Sequence, residues 1–428
     1  MVPHQHVQLP QGFNKPAGVA SIAQDTLLVA DSSRIFAVQV FDKALRVPCK
    51  VTAWLDGGNL SRQQQQPVEQ QQGAEPQQQF NTGQAISGNL LDGTASMAAF
   101  TDIGAIAYDD CNGVLYVLDD GFIRKINITS GLVADTVTTL QPRLFERGGQ
   151  GYAMVVVQPP AGCSSSPSST GIAQPIDAPL LLIGHGGQLT CLNLTDYSTS
   201  IYAGTTDVGH RDGAGPDFSP ADMRFNGIAG LAVGAYCTTP TLPTNSNAVG
   251  NWPKSCPLYL ADSNNHCVRR FHIGGPTERV DTWLGVPGAP GNIGGAAGRS
   301  DVRFNWPLGL CVDGDSQLFI SDHRNQQVLQ VDPCGTARKL VPDVVPGPPE
   351  LSSSGNCNRG PWQMAVTHQG HLAVMWLRQD MPACLCLYGL GFTPRACSSQ
   401  AQAAPNTLRS DMAVLLESGA DADLCLQV

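Results

Sequence analysis

FNWPLGLCVDGDSQLFISDHRNQQVLQV, residues 304–331, decides the fold. Phe304 leads to Pro307 and Gly309, then to an apolar run with Leu310 and Val312 that stops at the turn pair Asp313-Gly314. Leu318-Phe319-Ile320 reads as a second strand. Asp322 and Asn325 sit in a tight polar turn, and Val328 to Val331 reads as a third strand. Three apolar runs of strand length, punctuated by turn-forming residues, predict an antiparallel meander.

The interval from the opening aromatic to the turn aspartate recurs. Phe304 to Asp322 spans 18 residues, Phe13 to Asp31 again 18, and Phe100 to Asp119 spans 19. Phe225 to Asp262 spans 37, and the excess of 19 lies in the Pro/Thr/Asn-rich insert between Tyr236 and Pro257. A degenerate copy at 358–376 keeps Pro361 at the offset of Pro16 and Pro307, but Trp376 stands where the aspartate should be. A weaker copy lies in 152–157 and 179–194. Such units cannot bury both faces alone and must stack on neighbours. The intervals leave no room for helical crossovers of a dozen residues or more, which excludes a doubly wound α/β fold.

The expected fold class is therefore all-β: one six-bladed β-propeller spanning 1–428. Blades are expected near 10–58, 94–142, 145–206, 218–286, 300–343 and 358–428, each with an outer strand such as Val51–Leu55 or Val280–Leu284. Seven blades remain open if 412–428 forms a truncated one; otherwise a strand within 412–416 or 423–428 is available to complete the last blade. The ring should close by pairing a strand from 5–10 with the last blade, since a free edge would otherwise be exposed. Two insertions interrupt the pattern: a Gln-rich tract at 57–90, expected to be disordered, and a loop at 237–257 within the fourth blade.

Ala261 to Arg269 (ADSNNHCVR) and Ser321 to Leu329 (SDHRNQQVL) resemble the NHL repeat. Phe-x-x-Pro-x-Gly at Phe13, Pro16, Gly18 and at Phe304, Pro307, Gly309 is similar to the first part of that repeat. The glycine-rich segments 202–215 and 283–298 are similar to its inter-repeat lead-ins. The resemblance implies a β-propeller, usually six-bladed. It implies no single function, because the family holds both binding modules and enzymes, among them metal-dependent lyases and hydrolases. No histidine here maps onto the metal site of such an enzyme.

Charged residues make up only 14% of the chain against 42% hydrophobic ones, which is not the composition of a disordered acidic polymer. A net charge of −10 without a Lys/Arg cluster excludes a broad nucleic-acid footprint. No run of 18 apolar residues occurs, so no membrane span is expected. Fourteen cysteines and sequons at Asn59, Asn127 and Asn193 lean toward a secreted or luminal glycoprotein. The first ten residues have neither a basic nor an apolar signal-peptide region, so the chain reads as an excised domain or an incomplete gene model. Cys237 and Cys256 bracket the fourth-blade insert at a spacing that suits a disulfide, which would contribute about 3 kcal/mol. Cys384 and Cys386 point the same way in a strand and are no Cys-x-x-Cys pair; with Cys357 and Cys397 nearby, one bond in the last blade is expected. Cys191, Cys267 and Cys311 read equally well as small buried hydrophobes.

Asp31, Asp119, Asp262 and Asp322 recur periodically, whereas catalytic groups are singular. They are expected to accept turn N–H groups two or three residues on, with Asn264, Asn265 and Asn325 doing similar work. His185, His210, His266 and His323 fall in turns or loops. They could hold a metal only if those loops share one propeller face, and solvent-facing turn residues are the expectation. IGHGG (183–187) lacks the central Ser, Cys or Asp of a nucleophile elbow, and 285–298 lacks a phosphate-loop ending. No catalytic residue and no cofactor is assigned, and the metal question stays open. Three readings follow. The first is a non-enzymatic scaffold binding a protein or small molecule on one propeller face, with the 237–257 insert among the contacts. The second is a hydrolase or lyase, marked by non-periodic Asp, Glu and His at one channel mouth. The third is a structural domain of a longer chain.

Overall fold

The computed structural model describes residues 4–8, 16–23, 26–40, 50–55, 85–87, 90–95, 97–129, 133–140, 143–145, 153–159, 178–213, 222–234, 256–273, 280–292, 301–340, 360–378 and 381–388. After β1 (His4–Gln8) comes a first blade of β2 (Pro16–Ala23), β3 (Thr26–Asp31), β4 (Arg34–Gln39) and β5 (Lys50–Leu55). A short hairpin of β6 (Ala85–Ser87) and β7 (Leu90–Leu91) stands at the end of the tract expected to be disordered; residues 57–84 lie outside the described residues. The second blade is β9 (Ile103–Asp109), β10 (Val114–Asp119), β11 (Phe122–Thr129) and β12 (Val133–Thr139), with β8 (Gly93–Thr94) as a fifth, outermost strand. The third is β13 (Ala153–Val157), β14 (Leu180–His185), β15 (Gln188–Asn193) and β16 (Thr199–Gly204). The fourth is β17 (Ile228–Val233), β18 (Cys256–Asp262), β19 (Cys267–Ile273) and β20 (Val280–Gly285). The fifth is β21 (Pro307–Val312), β22 (Leu318–Asp322), β23 (Gln327–Val331) and β24 (Ala337–Lys339). The sixth is β25 (Gly360–Val366), β26 (Leu372–Arg378) and β27 (Met381–Tyr388), completed by β1.

Every pairing within a blade is antiparallel, and the first strands of successive blades touch around the axis: β2 with β9, then β13, β17, β21, β25 and back to β2. The molecule is a six-bladed propeller. Its ring closes as the edge argument requires. β1 pairs along β27 from His4 opposite Tyr388 to Gln8 opposite Cys384, so the N-terminal strand becomes the outer strand of the last blade. That position needs nothing from 412–428, which lies outside the described residues.

Each blade presents an apolar face to both neighbours, so the second strands are buried throughout: β3, β10 and β22 have no exposed residue. Six cores lie between the six pairs of blades. Leu28, Ala30 and Ile35 meet Ile106, Leu115 and Val117 between blades one and two, and Leu27, Val29 and Phe36 meet Met375, Leu385 and Leu387 across the closing seam. Each such side chain contributes about 1.5–3 kcal/mol by leaving water. The first strands converge so closely at the axis that a Cβ on Gly230 would stand 1.9 Å from the Leu308 carbonyl oxygen, and one on Gly309 2.3 Å from that of Trp362. This is the physical reason for a glycine two residues after Pro307.

The recurring aspartate has a role that its spacing did not specify. Asp262 Oδ1 accepts the N–H of Asn226 (2.8 Å), Asp322 Oδ1 that of Asn305 (2.7 Å), and Asp119 Oδ1 those of Thr101 and Asp102 (2.9 Å each). These bonds reach back to the residues just after Phe225, Phe304 and Phe100, not forward into the turn. The interval from Phe to Asp is thus the length of chain needed to bring a first strand's start beside its partner's end. The forward turn bonding occurs at the opposite ends of the blades instead, where Asp109 accepts from Cys111 and Asn112 and Asp313 from Asp315 and Gln317.

Candidate functional site

The first strands enclose a central channel of about 620 Å³. One register along it is defined by the leucine that each residue faces on the second strand. Val156 lies opposite Leu181, Val233 opposite Leu258, Val312 opposite Leu318 and Val366 opposite Leu372. The same register holds Ser21 opposite Leu27 in blade one and Tyr108 opposite Leu115 in blade two. All six line the channel. Four valines, one serine and one tyrosine make an apolar ring broken on one side by two adjacent hydroxyls.

Polar groups gather at that break, on the face formed by the turns from first to second strand. Ser21 Oγ and His368 Nδ1 are 2.8 Å apart, and His368 Nε2 lies 3.5 Å from Asp110 Oδ1. Three blades meet here: His368 comes from the sixth, Ser21 from the first and Asp110 from the second. His368 is held from both sides. Its turn is closed by the Gly370 N–H on the Thr367 carbonyl (3.0 Å) and by the His371 N–H on Thr367 Oγ1 (3.0 Å), while Gln369 Nε2 reaches the Val40 carbonyl on blade one (3.4 Å). Asp110 is positioned by its neighbour: Asp109 also takes Asn112 Nδ2 (2.8 Å) and Gln158 Nε2 of blade three (2.7 Å), leaving the Asp110 carboxylate partly exposed at the mouth. Burial holds the Tyr108 hydroxyl above its ordinary range, with the negative charges of Asp110 and Asp109 adding to the shift, so it stays a donor. Burial also raises the Asp313 carboxyl on the fifth-blade side of the mouth.

The aspartates and histidines singled out by sequence lie elsewhere. Asp119 and Asp262 are buried in ion pairs with Arg124 and Arg269, each at 2.9 Å, and each guanidinium stacks over a phenylalanine at 5.0 Å, Phe100 and Phe225 respectively. Asp322 takes Asn325 Nδ2 (2.6 Å) and Gln327 Nε2 (2.8 Å), and Asp31 pairs with Arg34 at 2.9 Å. Asn265 Nδ2 donates to Asp262 (2.9 Å), and Asn264 Oδ1 accepts from Trp306 Nε1 (3.0 Å). His185, at the end of β14, stacks on Phe145 with ring centres 4.8 Å apart. His210 meets Thr282 Oγ1 at 2.8 Å, and His266 Nδ1 accepts the Trp306 N–H at 3.2 Å. His323 is fully buried rather than solvent-facing, with Nδ1 donating to the Pro361 carbonyl (3.0 Å). Burial lowers the basicity of all four. They share the face opposite the Ser21 mouth but sit at separate blade corners, and among the described residues no three metal-ligating side chains converge.

Cys191 and Cys267 are buried free thiols, as read from sequence, and Cys311 is a half-buried one. The sulfurs of Cys384 and Cys386 lie 4.0 Å apart. Cys237, Cys357 and Cys397 lie outside the described residues, as does most of the 237–257 insert. No helix among the described residues is long and apolar enough to cross a membrane.

No protein-family model matches the chain, and no curated protein matches it. Solved structures do. A structural-genomics protein of unknown function from Bacteroides thetaiotaomicron VPI-5482 is 11% identical with a TM-score of 0.47, covering 91% of this chain and 72% of its own. A luciferin-regenerating enzyme is 11% identical at a TM-score of 0.42, covering 92% and 98%. The WD40 β-propeller domain of Doa1 is 9% identical at 0.42, covering 90% and 95%. These likenesses extend to the propeller shape alone.

Proposed function

We propose that the chain is an NHL-like propeller that binds a small, largely apolar molecule in its central channel through the mouth at Ser21, Tyr108 and His368. One observation carries this reading: a channel of about 620 Å³ whose ring of valines is opened by the hydroxyls of Ser21 and Tyr108 beside His368. Sites for small molecules typically occupy roughly 300–1,000 Å³, with a few polar groups to orient the ligand. Burial of the ligand's body against Val156, Val233, Val312 and Val366 supplies the affinity, and the hydroxyls, imidazole and carboxylate select for a polar end. The mouth favours a neutral or cationic end over an anionic one, because Asp110 and Asp313 border it.

We place the protein in a secreted or luminal compartment. Supporting this, Asn127 of one glycosylation sequon is exposed on β11. The neutral fluorophore N-phenyl-1-naphthylamine tests the binding reading. Its emission should rise on adding the protein, and Val156→Trp, which fills the half-exposed ring position, should abolish the rise while leaving the thermal midpoint near that of the parent. An unchanged signal in Val156→Trp, or none in the parent, would sink it.

A further inference from the structure

We propose that Ser21, His368 and Asp110 form a hydrolytic site, with Ser21 as nucleophile, His368 as general base and Asp110 as the positioning carboxylate. The substrate class is a carboxylic ester whose apolar part occupies the channel, so the proposal rests on the ligand-binding reading above. A serine hydroxyl within hydrogen-bond reach of an imidazole, itself faced by a carboxylate, is the arrangement that activates an otherwise weak nucleophile. Here the two spacings are 2.8 Å and 3.5 Å.

Two further observations support the assignment. The corner aspartates recur from blade to blade and are structural, but among the described residues this trio occurs once. The register of Ser21 is valine in four of the six blades and tyrosine in the next. A serine in that ring loses apolar packing with no gain to the fold that the other blades require. The trio also borders the channel, so a ligand seated in it brings a polar end to Ser21.

The reaction balances without a cofactor. Ser21 Oγ attacks the ester carbonyl carbon as His368 Nδ1 takes the hydroxyl proton, and the tetrahedral oxyanion collapses with loss of the alcohol oxygen, which recovers that proton from His368. Water then attacks the acyl-serine, again giving its proton to His368, and the Ser21 oxygen leaves with it as the acid is released. Ester and water become acid and alcohol. Tyr108, protonated and lining the same cavity, is the hydroxyl donor available to the oxyanion. Asp110 stabilises the imidazolium from its Nε2 side. Among the described residues, Asp109 and Asp313 are the other titratable carboxylates at this mouth.

The test uses the full chain and an octyl fluorophosphonate, which phosphonylates an activated serine with loss of fluoride. One adduct is expected, mapped by peptide mass spectrometry to Ser21 and absent from Ser21→Ala and from His368→Gln. Turnover of p-nitrophenyl butyrate should fall at least about 100-fold in either variant. Asp110→Asn should lower kcat with KM little changed, whereas a purely structural contact would leave kcat in place. N-phenyl-1-naphthylamine binding is measured on the same samples. Bound fluorophore with no adduct on Ser21, or ester turnover unchanged in Ser21→Ala, overturns the hydrolytic site and leaves the binding reading intact. Absence of both adduct and fluorophore binding overturns the two together.

Discussion

The corners of the fourth and fifth blades share a backbone and differ in charge. Asp262 and Asp322 have the same dihedrals, φ −91° and ψ 77°, and each leads into a 3-10 turn that ends in a left-handed residue, His266 or Gln326. Each accepts the N–H after a buried phenylalanine and the side-chain amide of an asparagine three residues on. In the fourth blade Arg269, fully buried, pairs with Asp262 and also donates to the carbonyls of Arg224 (3.2 Å) and Arg211 (2.8 Å). The register-equivalent residue of the fifth blade is Leu329, and neutral Gln327 fills the gap. The same backbone corner therefore stands with or without a cation. Burial raises the carboxyl in both corners, Asp262 despite its guanidinium and Asp322, up to about 7, despite three donors.

The largest expected effect comes from breaking the charged corner. Arg269→Ala leaves the buried Asp262 without its guanidinium and should cost about 3–5 kcal/mol in denaturant unfolding; Asp262→Asn should cost less, because Arg269 keeps its ion pair with Asp212 (2.6 Å). A loss under about 1 kcal/mol from both would mean that this corner, like the fifth, does not depend on its ion pair.

The Asp322→Asn variant is read through pH. Folded Asp322 holds a proton up to about 7, whereas the unfolded carboxyl releases it near 3.8. Between those values the unfolded state binds fewer protons, so this group's stabilisation is present in full below about 3.8 and is lost as pH rises toward 7. The stability of the parent minus that of Asp322→Asn should therefore fall with pH across this window, at a slope of up to about 1.4 kcal/mol per unit, and be flat above it. A difference that rises with pH would show Asp322 to be an ordinary low-pKa carboxylate. The smallest effect belongs to Gln327→Ala, which removes one neutral donor and should cost about 1 kcal/mol; a loss as large as that of Arg269→Ala would make the amide an equal of the guanidinium.

The sixth corner shows how far the pattern can drift. Trp376 faces Pro361 as Asp322 faces Pro307, and it packs among Phe319, Val328 and Met364 instead of bonding the chain behind it. The periodic interval and Pro361 made that blade legible without its aspartate. The channel mouth had no comparable signal. Ser21 and His368 are 347 positions apart, and each sits beside its own strand like any other polar residue. A count of eight from the opening phenylalanine reaches the ring position in sequence, at Ser21 from Phe13 as at Tyr108, Val233 and Val312, but nothing in that count brings His368 beside Ser21.

Spacing and alternation alone determined the blade unit and the closing role of the N-terminal strand, while the structure decided for six blades over the seven that the sequence left open. The unit and the closure follow from local rules: apolar runs of strand length must pair, paired sheets must stack, and a stacked array with free edges must close. Which side chains converge at the axis was decided by the tertiary structure. Closing the ring sets residues from blades six, one and two side by side at one mouth, and a distance of 2.8 Å between Ser21 and His368 depends on the tilt and register of every blade between them along the chain.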